Sequence, residues 1–122
     1  MTQEEKELLL RDLCARLPYG VKCYIKFDDG KIFNERTLAP VMIQDFKKHS
    51  FVSFIPYLRP MSSMTEEEYK AIRDCFVYCG DEFIASGKAV DYFNSHHFDY
   101  RDLIEKGLAL QAPEGMYNIK EK

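Results

Sequence analysis

The sequence predicts a small α+β domain with an N-terminal helix, a small antiparallel sheet of three to four strands, and two to three C-terminal helices. Three observations support this prediction. Residues 3–17 place apolar side chains at helical spacing, residues 21–27 alternate apolar and polar side chains, and Thr65 precedes a second helical repeat. The segments between the expected strands are too short for parallel crossovers, so we expect these strands to pair antiparallel.

The first helix is predicted from about residue 3 to residue 17. Thr2 and Glu5 stand three residues apart at its start, which is the spacing of a capping box. Leu9 and Leu13 fall on one face and should contact the core. Pro18 ends the helix, because proline clashes with the preceding turn.

Residues 18–60 are predicted to form the sheet. Val21–Phe27 has the period of a half-buried strand, and Asp28–Gly30 is a turn from which residues 31–35 return as a hairpin. Further strands are expected at residues 38–46, where Pro40 stands near the start, and at residues 51–55. The strand order across residues 36–56 stays open.

Residues 61–122 are predicted to be a helical part with a turn-rich tail. Each expected helix has a recognisable end: a capping box at its start, a hydrophobic staple, or a glycine after its last turn. The predicted helices run from Thr65 to about Cys79 with a stop at Gly80, from Ala89 to near His96, and from a cap at Asp99 to Gly107, where Leu108 should fold back on Leu103.

The 122 residues suit a single domain spanning 1–122. No apolar run approaches the roughly 20 residues that a membrane span requires, and the start of the chain is acidic and polar, so we expect a cytoplasmic protein. Free thiols that pack in the core are then expected at all four cysteines, because the chain lacks the two close ligand pairs of a zinc site. These cysteines are Cys14, Cys23, Cys75 and Cys79.

The charge of the chain disfavours a dedicated nucleic-acid binder. The formal net charge is −3, although residues 18–64 carry seven Lys and Arg against four Asp and Glu, a local +3. That excess is small for a phosphate-binding surface, so nucleic acid is an unlikely partner. The alternative of a weak nucleic-acid binder would use the basic face of the sheet, formed by Lys22, Lys26, Lys31, Lys47 and Lys48.

The segment Asn94–Leu108 holds two of the three histidines and suggests a second alternative. His96, His97 and Asp99 have the side-chain types of a hydrolytic metal site, so a small hydrolase or metal-binding protein is conceivable. Adjacent histidines point in different directions on a helix or a strand, however, and Asp99 already serves as a helix cap. The sequence therefore predicts no catalytic residue, no metal site and no cofactor.

Tyrosine and arginine residues are the best candidates for a binding surface. They combine large contact area with hydrogen bonding and are enriched at binding hot spots. Tyr57 and Arg59 lie in the two-proline segment Pro56–Pro60, which should be rigid. The alternative, that Tyr57 and Leu58 only fill a gap between sheet and helix, is the role that the sequence favours for them. The complete candidate set for binding is Tyr57, Arg59, His97, Tyr100 and Arg101.

Three blocks of the sequence carry a resemblance to a known family: Asp12–Val21, Pro56–Glu67 and Asn94–Leu110. With them the chain resembles a family of small uncharacterised proteins from gut bacteria and the phages or mobile elements that they carry. The resemblance implies origin and context, and implies no activity or site residue. Similar sequences often have Gly where this chain has Asp102, which we expect to be the acidic partner in the cap of the final helix.

Together these features favour a non-catalytic intracellular binding module with another protein as its partner. The two alternatives are the hydrolase or metal-binding protein centred on His96, His97 and Asp99, and the weak nucleic-acid binder. The sequence leaves the identity of the partner and the oligomeric state open.

Overall fold

The computed structural model describes residues 2–48, 52–73, 76–79, 82–85 and 87–117. It has an N-terminal helix, a four-stranded mixed sheet and further helices, so the predicted α+β class is confirmed. The helices are α1 (Gln3–Arg16), α2 (Pro40–Lys48), α3 (Glu66–Ile72) and α4 (Gly87–Ser95), with 3-10 turns at Leu17–Tyr19 and Met61–Ser63. The strands are β1 (Lys22–Phe27), β2 (Ile32–Thr37), β3 (Val52–Leu58), β4 (Phe76–Cys79), β5 (Glu82–Ala85) and β6 (Leu110–Gln111).

Helix α1 begins at the predicted capping box. The Thr2 hydroxyl accepts a hydrogen bond from Glu5 N at 3.1 Å, and the Glu5 carboxylate accepts one from Thr2 N at 2.8 Å. Leu9 and Leu13 have no exposed surface and pack against the sheet. Asp12 and Arg16 are also completely buried, which the sequence pattern did not indicate.

The main sheet has the order β2-β1-β3-β6. The predicted hairpin of β1 and β2 is confirmed, and β1 also pairs antiparallel with β3. The prediction of a wholly antiparallel sheet is wrong at one edge, because β6 pairs parallel with β3 after the chain has passed through α3 and α4. Strand β3 also runs on through Pro56 and Tyr57, so these residues are strand rather than connection.

Helix α2 replaces the strand predicted at residues 38–46. Pro40 is the first helical residue, a position where the missing N–H costs nothing and the fixed φ favours a helix. Phe46 is buried in the main core, with Met42 and Ile43 packed beside it at helical spacing. The apolar run was thus compatible with either structure, and packing on the sheet decided it.

Helix α3 confirms the predicted start but not the predicted end. The capping box of Thr65 and Glu68 is present, yet the helix ends at Ile72. Strand β4 then occupies residues 76–79 and pairs antiparallel with β5, so the helix expected through Cys79 is wrong. Gly80, the expected stop, lies outside the described residues. Of the cysteines whose side chains are described, Cys23 is buried as predicted and Cys14 is exposed.

The helix predicted from Asp99 to Gly107 is a series of turns. Its C-terminal end nevertheless carries the predicted contact, since Leu108 N donates to Leu103 O at 2.9 Å and Gly107 N donates to Ile104 O at 3.1 Å, the pair of bonds of a Schellman end. The Asp99 carboxylate accepts hydrogen bonds from Leu103 N and Ile104 N, four and five residues ahead.

Asp102 explains why this segment does not become a regular helix. Its φ of 59° lies in the left-handed region, which interrupts the helix that Asp99 was expected to cap. The expected role of Asp102 as the acidic partner in that cap is therefore wrong. Aspartate tolerates this conformation better than most residues, and glycine adopts it without strain.

Two hydrophobic clusters lie side by side. The larger one fills the space between α1, α2 and one face of the sheet. The smaller one contains Ile72, Ala89, Phe93 and Phe98 from α3, α4 and the segment that follows α4. Arg59, the residue directly after β3, forms a parallel bridge with Phe98 and so connects the two clusters.

Candidate functional site

Four of the five predicted binding residues lie at or beside the segment that contains Phe98. This segment runs alongside the end of β3, where Arg59 N donates to His97 O at 2.7 Å and Asp99 N donates to Arg59 O at 2.8 Å. Phe98 has no exposed surface. Four candidate residues therefore lie close to the Arg59–Phe98 bridge between the two hydrophobic clusters: Arg59, His97, Tyr100 and Arg101. Tyr57 lies apart from them, on strand β3 of the sheet.

Both terminal nitrogens of Arg59 are engaged by groups of its own chain, whereas its Nε is buried with no hydrogen-bond partner among the described residues. Arg59 makes two hydrogen bonds of 2.7 Å to the Glu68 carboxylate, and the two side chains are 6 % and 8 % exposed. A further hydrogen bond of 3.2 Å runs to Ser63 O, and the guanidinium lies 4.1 Å from the centre of the Phe98 ring. A side chain with these contacts positions loops and has little surface to offer a partner.

Glu68 links this ion pair to the start of α3. Its carboxylate accepts a hydrogen bond from Thr65 N at 2.9 Å as well as those from Arg59. Burial alone would raise the pKa of Glu68, but the hydrogen bonds from Arg59 and Thr65 outweigh burial and lower it. The carboxylate is therefore ionised at neutral pH.

A second buried ion pair ties α1 to the same segment. Arg16 Nε donates to Asp12 Oδ2 at 2.7 Å, both side chains are completely buried, and Arg16 Nη2 donates to Phe98 O at 2.6 Å. Arg101 Nε lies 3.2 Å from Asp12 Oδ1, without hydrogen-bond geometry. Asp12 thus lies between two guanidinium groups, one from α1 and one from the segment after α4.

Tyr100 is half-buried against these arginines. Its ring stacks on Phe93 at a centroid distance of 5.5 Å, and the Arg16 guanidinium lies 5.4 Å from its centre. Its hydroxyl accepts a hydrogen bond of 3.0 Å from Arg101. His97, Tyr100 and Arg101 are all partly exposed, so these members of the group have surface left for a partner.

His97 is held in an unusual conformation. Its φ of 64° is left-handed, its ring stacks on Tyr117 at 3.8 Å, and its Nδ1 is buried with no partner among the described residues. Burial, followed by the charges of Arg16, His96 and Arg59, lowers the pKa of His97 from 6.5 to about 4. The imidazole is therefore neutral at physiological pH.

The lowered pKa of His97 predicts a loss of stability in mild acid. Between pH 6.5 and pH 4 the unfolded chain binds a proton at His97 that the folded chain does not, so the free energy of unfolding falls as the pH falls and levels off below about pH 4. We expect about 1–2 kcal/mol from this residue, since its partial exposure reduces the full effect. Urea unfolding at pH 7 and pH 4.5 measures it.

The control for this pH effect is His97→Asn, which cannot titrate and tolerates the left-handed backbone. Its stability difference between the two pH values should be smaller than that of the wild type by the same amount. An unchanged difference would show that His97 does not carry the effect.

The two neighbouring histidines face different partners. The His96 ring stacks on Tyr92 at 3.9 Å, and its Nδ1 lies 3.1 Å from both Ser95 Oγ and Tyr92 O, whereas His97 stacks on Tyr117. The Asp99 carboxylate is turned towards Leu103 N and Ile104 N. In the part of the chain that the structure describes, no group of three His, Cys, Asp or Glu side chains could hold a metal ion.

Tyr57 and Tyr117 together complete the sheet where β1 and β3 separate. The Tyr117 hydroxyl accepts a hydrogen bond from Lys22 N at 2.8 Å and donates one to Tyr57 O at 2.8 Å, so it replaces a direct backbone bond between the strands. The Tyr57 hydroxyl reaches β2 and donates to Asn34 O at 2.8 Å. Tyr57 therefore supports the edge of the sheet.

The five lysines of the nucleic-acid alternative are divided between the hairpin of β1 and β2, which carries Lys22, Lys26 and Lys31, and helix α2. Lys22 is on β1, where it pairs with Glu35 at 2.9 Å, and Lys26 is exposed on the same strand. Lys47 and Lys48, which the sequence placed with the sheet, end helix α2. The charge that the sequence grouped together is thus divided between strand and helix.

An apolar groove lies where the sequence indicated no site. Its volume is about 270 Å³, and it lies between the edge strand β2 and helix α2. Val41 at its rim is 63 % exposed, and Ile32 on the neighbouring strand is 47 % exposed. The groove is lined by Ile25, Phe27, Phe33, Arg36, Val41, Met42, Asp45 and Phe54.

Two opposite charges line this groove without neutralising each other. Arg36 lies over the Phe33 ring at 4.6 Å, and among the described residues neither Arg36 nor Asp45 belongs to an ion pair. Strand β2 pairs with β1 alone, and no other described strand pairs with its second side. Sequence reasoning could not have found this groove, because it depends on α2 being a helix and on β2 being at the edge.

A second cleft, of about 240 Å³, lies between Arg59–Ser63 and the turn after β6. Arg59 and Tyr117 line it, but both guanidinium ends of Arg59 and the Tyr117 hydroxyl are already engaged by their own chain. Glu114 is the exposed charge at its rim. This cleft therefore offers a ligand fewer unengaged groups than the groove beside β2.

No family model, curated protein or solved structure matches the chain. Within the described residues, no helix combines the length and apolarity needed to cross a bilayer.

Proposed function

We propose that this chain is a non-catalytic protein-binding module that binds an extended segment of a partner protein along the edge of β2. One observation carries the proposal: an unpaired strand edge lies directly beside an apolar groove with an exposed rim. Such an edge offers backbone hydrogen bonds, and the groove beside it offers a place for side chains.

The backbone of β2 is ready to accept another strand. Phe27 N donates to Lys31 O and Leu38 N donates to Val21 O, so residues 31 and 38 face β1. By the alternation of an antiparallel pair, Ile32 and Thr37 then direct their N–H and C=O groups away from β1. No described residue bonds to these groups, and an added strand would satisfy them.

The groove supplies the side-chain part of the binding. Phe33 and Arg36 oppose Ile25 and Cys23 of β1, which are buried, so their side chains lie on the helix side of the sheet. An added strand would place every second side chain on that same side, next to Val41 and the rest of the groove. Burial of the exposed rim would stabilise the complex beyond its backbone bonds.

The edge is held in shape before a partner arrives. Tyr24 of β1 lies opposite both Asn34 and Glu35, which form a bulge, and the hydroxyl of Tyr57 fixes the Asn34 carbonyl. A preorganised edge loses little conformational entropy on binding. Tyr57, singled out from the sequence, thus contributes to this proposal by positioning β2.

The buried polar residues favour binding over catalysis. The carboxylates of Asp12, Glu68 and Asp99 are engaged by arginines or backbone N–H groups of the same chain. An acid–base catalyst needs a titrating group in reach of a substrate, and these groups are enclosed by the fold. In keeping with the family resemblance, we propose that the binding occurs in the cytoplasm of a bacterium, either uninfected or infected by a phage.

The test compares two substitutions at one outward-facing position of β2. Thr37→Pro removes an N–H that no described residue uses and places a ring at the edge, whereas Thr37→Val keeps the N–H and the shape. Tagged wild type and both variants are used to capture proteins from the native lysate after nuclease treatment. We expect a specific protein with the wild type and Thr37→Val, reduced at least tenfold with Thr37→Pro.

Thermal unfolding of the three proteins shows that the fold is intact. Equal recovery with Thr37→Pro and with the wild type would contradict the proposal, as would a capture that disappears after nuclease treatment. A second variant, Val41→Asp, alters the groove without touching the edge and should also reduce the capture.

A further inference from the structure

We propose that the extended segment which binds at β2 is β2 of a second copy of this chain. Two copies would then join edge to edge about a two-fold axis and form one continuous eight-stranded sheet. This inference rests on the function proposed above, because it names the partner of the same edge. It depends on the fact that the edge and its groove are complementary to themselves.

The backbone of β2 matches a second β2 in antiparallel orientation. A two-fold axis sets Ile32 opposite Thr37 of the second copy and Thr37 opposite Ile32 of the second copy. These are the residues whose N–H and C=O groups point away from β1. Both strands have the same bulge between these residues, so both pairs of hydrogen-bonding residues remain in register.

The charges of the groove also match under this symmetry. In the same register Arg36 of one copy lies opposite Phe33 of the other, on the helix side where the groove opens. Each groove contains Asp45, which has no ion-pair partner among the described residues, and would receive an Arg36 that likewise has none. A pair of opposite charges would therefore form twice across the interface.

The most exposed apolar residues of this region would be covered as well. Ile32, which is 47 % exposed, would lie beside the Thr37 methyl group of the second copy. Val41, at 63 % exposure, stands at the rim that the second strand approaches. An edge joined largely by backbone bonds buries a small area, so the association should be reversible and depend on concentration.

The test uses charge reversal at the two groove residues. Arg36→Asp sets aspartate against Asp45 in both grooves of a dimer, and Asp45→Arg sets arginine against Arg36 in both. Each variant alone should associate at least tenfold more weakly than the wild type. Mixed together, the two variants form opposite-charge pairs in both grooves, so the mixture should associate as the wild type does.

Sedimentation equilibrium over a range of protein concentrations measures this association. The wild type should move from the 14.3 kDa of a single chain towards twice that mass. Thr37→Pro should stay a monomer and Thr37→Val should behave as the wild type. Native mass spectrometry of the mixed variants, one of them labelled with 15N, identifies the mixed dimer directly.

Two results would overturn the inference, and each is separate from a failure of the proposed function. A wild type that stays monomeric at every concentration excludes the second copy as partner. Strand addition at β2 would still be supported if the wild type captured a different protein that Thr37→Pro failed to capture. A dimer that Arg36→Asp, Asp45→Arg and Thr37→Pro all leave unchanged would place the interface elsewhere on the chain.

Discussion

Replacing Arg59 with methionine is expected to lower the free energy of unfolding by about 3–5 kcal/mol, because it leaves the buried Glu68 carboxylate without its charge partner. The two side chains are only 6 % and 8 % exposed, so water cannot take over the lost contacts without opening the structure. A domain of ordinary stability, roughly 5–15 kcal/mol, would lose a large share of it. Urea unfolding followed by circular dichroism measures the change.

The double variant Arg59→Met with Glu68→Gln separates the charge effect from the packing. Glutamine keeps an acceptor for Thr65 N, so the capping box of α3 survives and no charge remains buried. We expect the double variant to unfold within about 1–2 kcal/mol of the wild type, far from the sum of the single changes. A double variant as unstable as Arg59→Met would show that the loss comes from missing packing on Phe98.

Arg16→Met should have a comparable effect, a loss of about 3–5 kcal/mol, because both Arg16 and Asp12 are completely buried. It also removes the 2.6 Å hydrogen bond to Phe98 O, which fixes the segment after α4 to α1. Hydrogen exchange at the Arg59 amide, which bonds to His97 O in that segment, should therefore become faster. Chemical denaturation together with exchange measured by NMR tests both expectations.

Asp12→Leu combined with Arg16→Met is the matched control. Arg101 is 22 % exposed and can turn towards water once Asp12 is gone, so no charge stays buried without a partner. The double variant should recover most of the lost stability but not the slow exchange, since the Phe98 O bond is still missing. Recovery of neither would mean that the shape of Arg16, and not its charge, holds the segment.

The parts of the fold that the sequence predicted well depend on contacts between near neighbours. The capping boxes at Thr2 and Thr65 each connect residues three apart, and the hairpin of β1 and β2 needs one turn. The same applies to the Schellman bonds at Gly107, although the helix they were expected to end is absent. Caps and turns can be predicted from the local sequence, whereas the length of each helix or strand is decided by tertiary packing.

The parts that the sequence missed depend on distant residues. Arg16 has the spacing of an ordinary helix residue, and its partner Phe98 O is 82 residues away, so nothing in the sequence indicates that it is buried. Pro40 fits a strand start as well as a helix start, and the choice was made by the sheet beneath it. Strand β6 has only two residues, and its partners Tyr57 and Leu58 on β3 lie far from it in the sequence.

The candidate binding residues show the same division. Tyrosine and arginine were selected because their side chains form hydrogen bonds, and both residues do form them. Arg59, however, donates to the buried Glu68 carboxylate, and Tyr57 donates to the backbone at the bulge of β2. Side-chain type indicates what a residue can contact and leaves open which side of the fold it faces. The groove between β2 and α2 requires the strand order, which the sequence left open across residues 36–56.

The hydroxyl of Tyr117, which stands in for a backbone bond between β1 and β3, has a consequence for the order of events during synthesis. Tyr117 lies 60 residues beyond Tyr57 and 95 beyond Lys22 in the sequence. Both strands are therefore fully synthesised before Tyr117 is added to the chain. At roughly 5–20 residues synthesised per second, Tyr117 is added about 3–12 seconds after Tyr57, and its bonds between β1 and β3 cannot form before then. A nascent chain therefore holds its hairpin early and closes this corner of the sheet among its last steps.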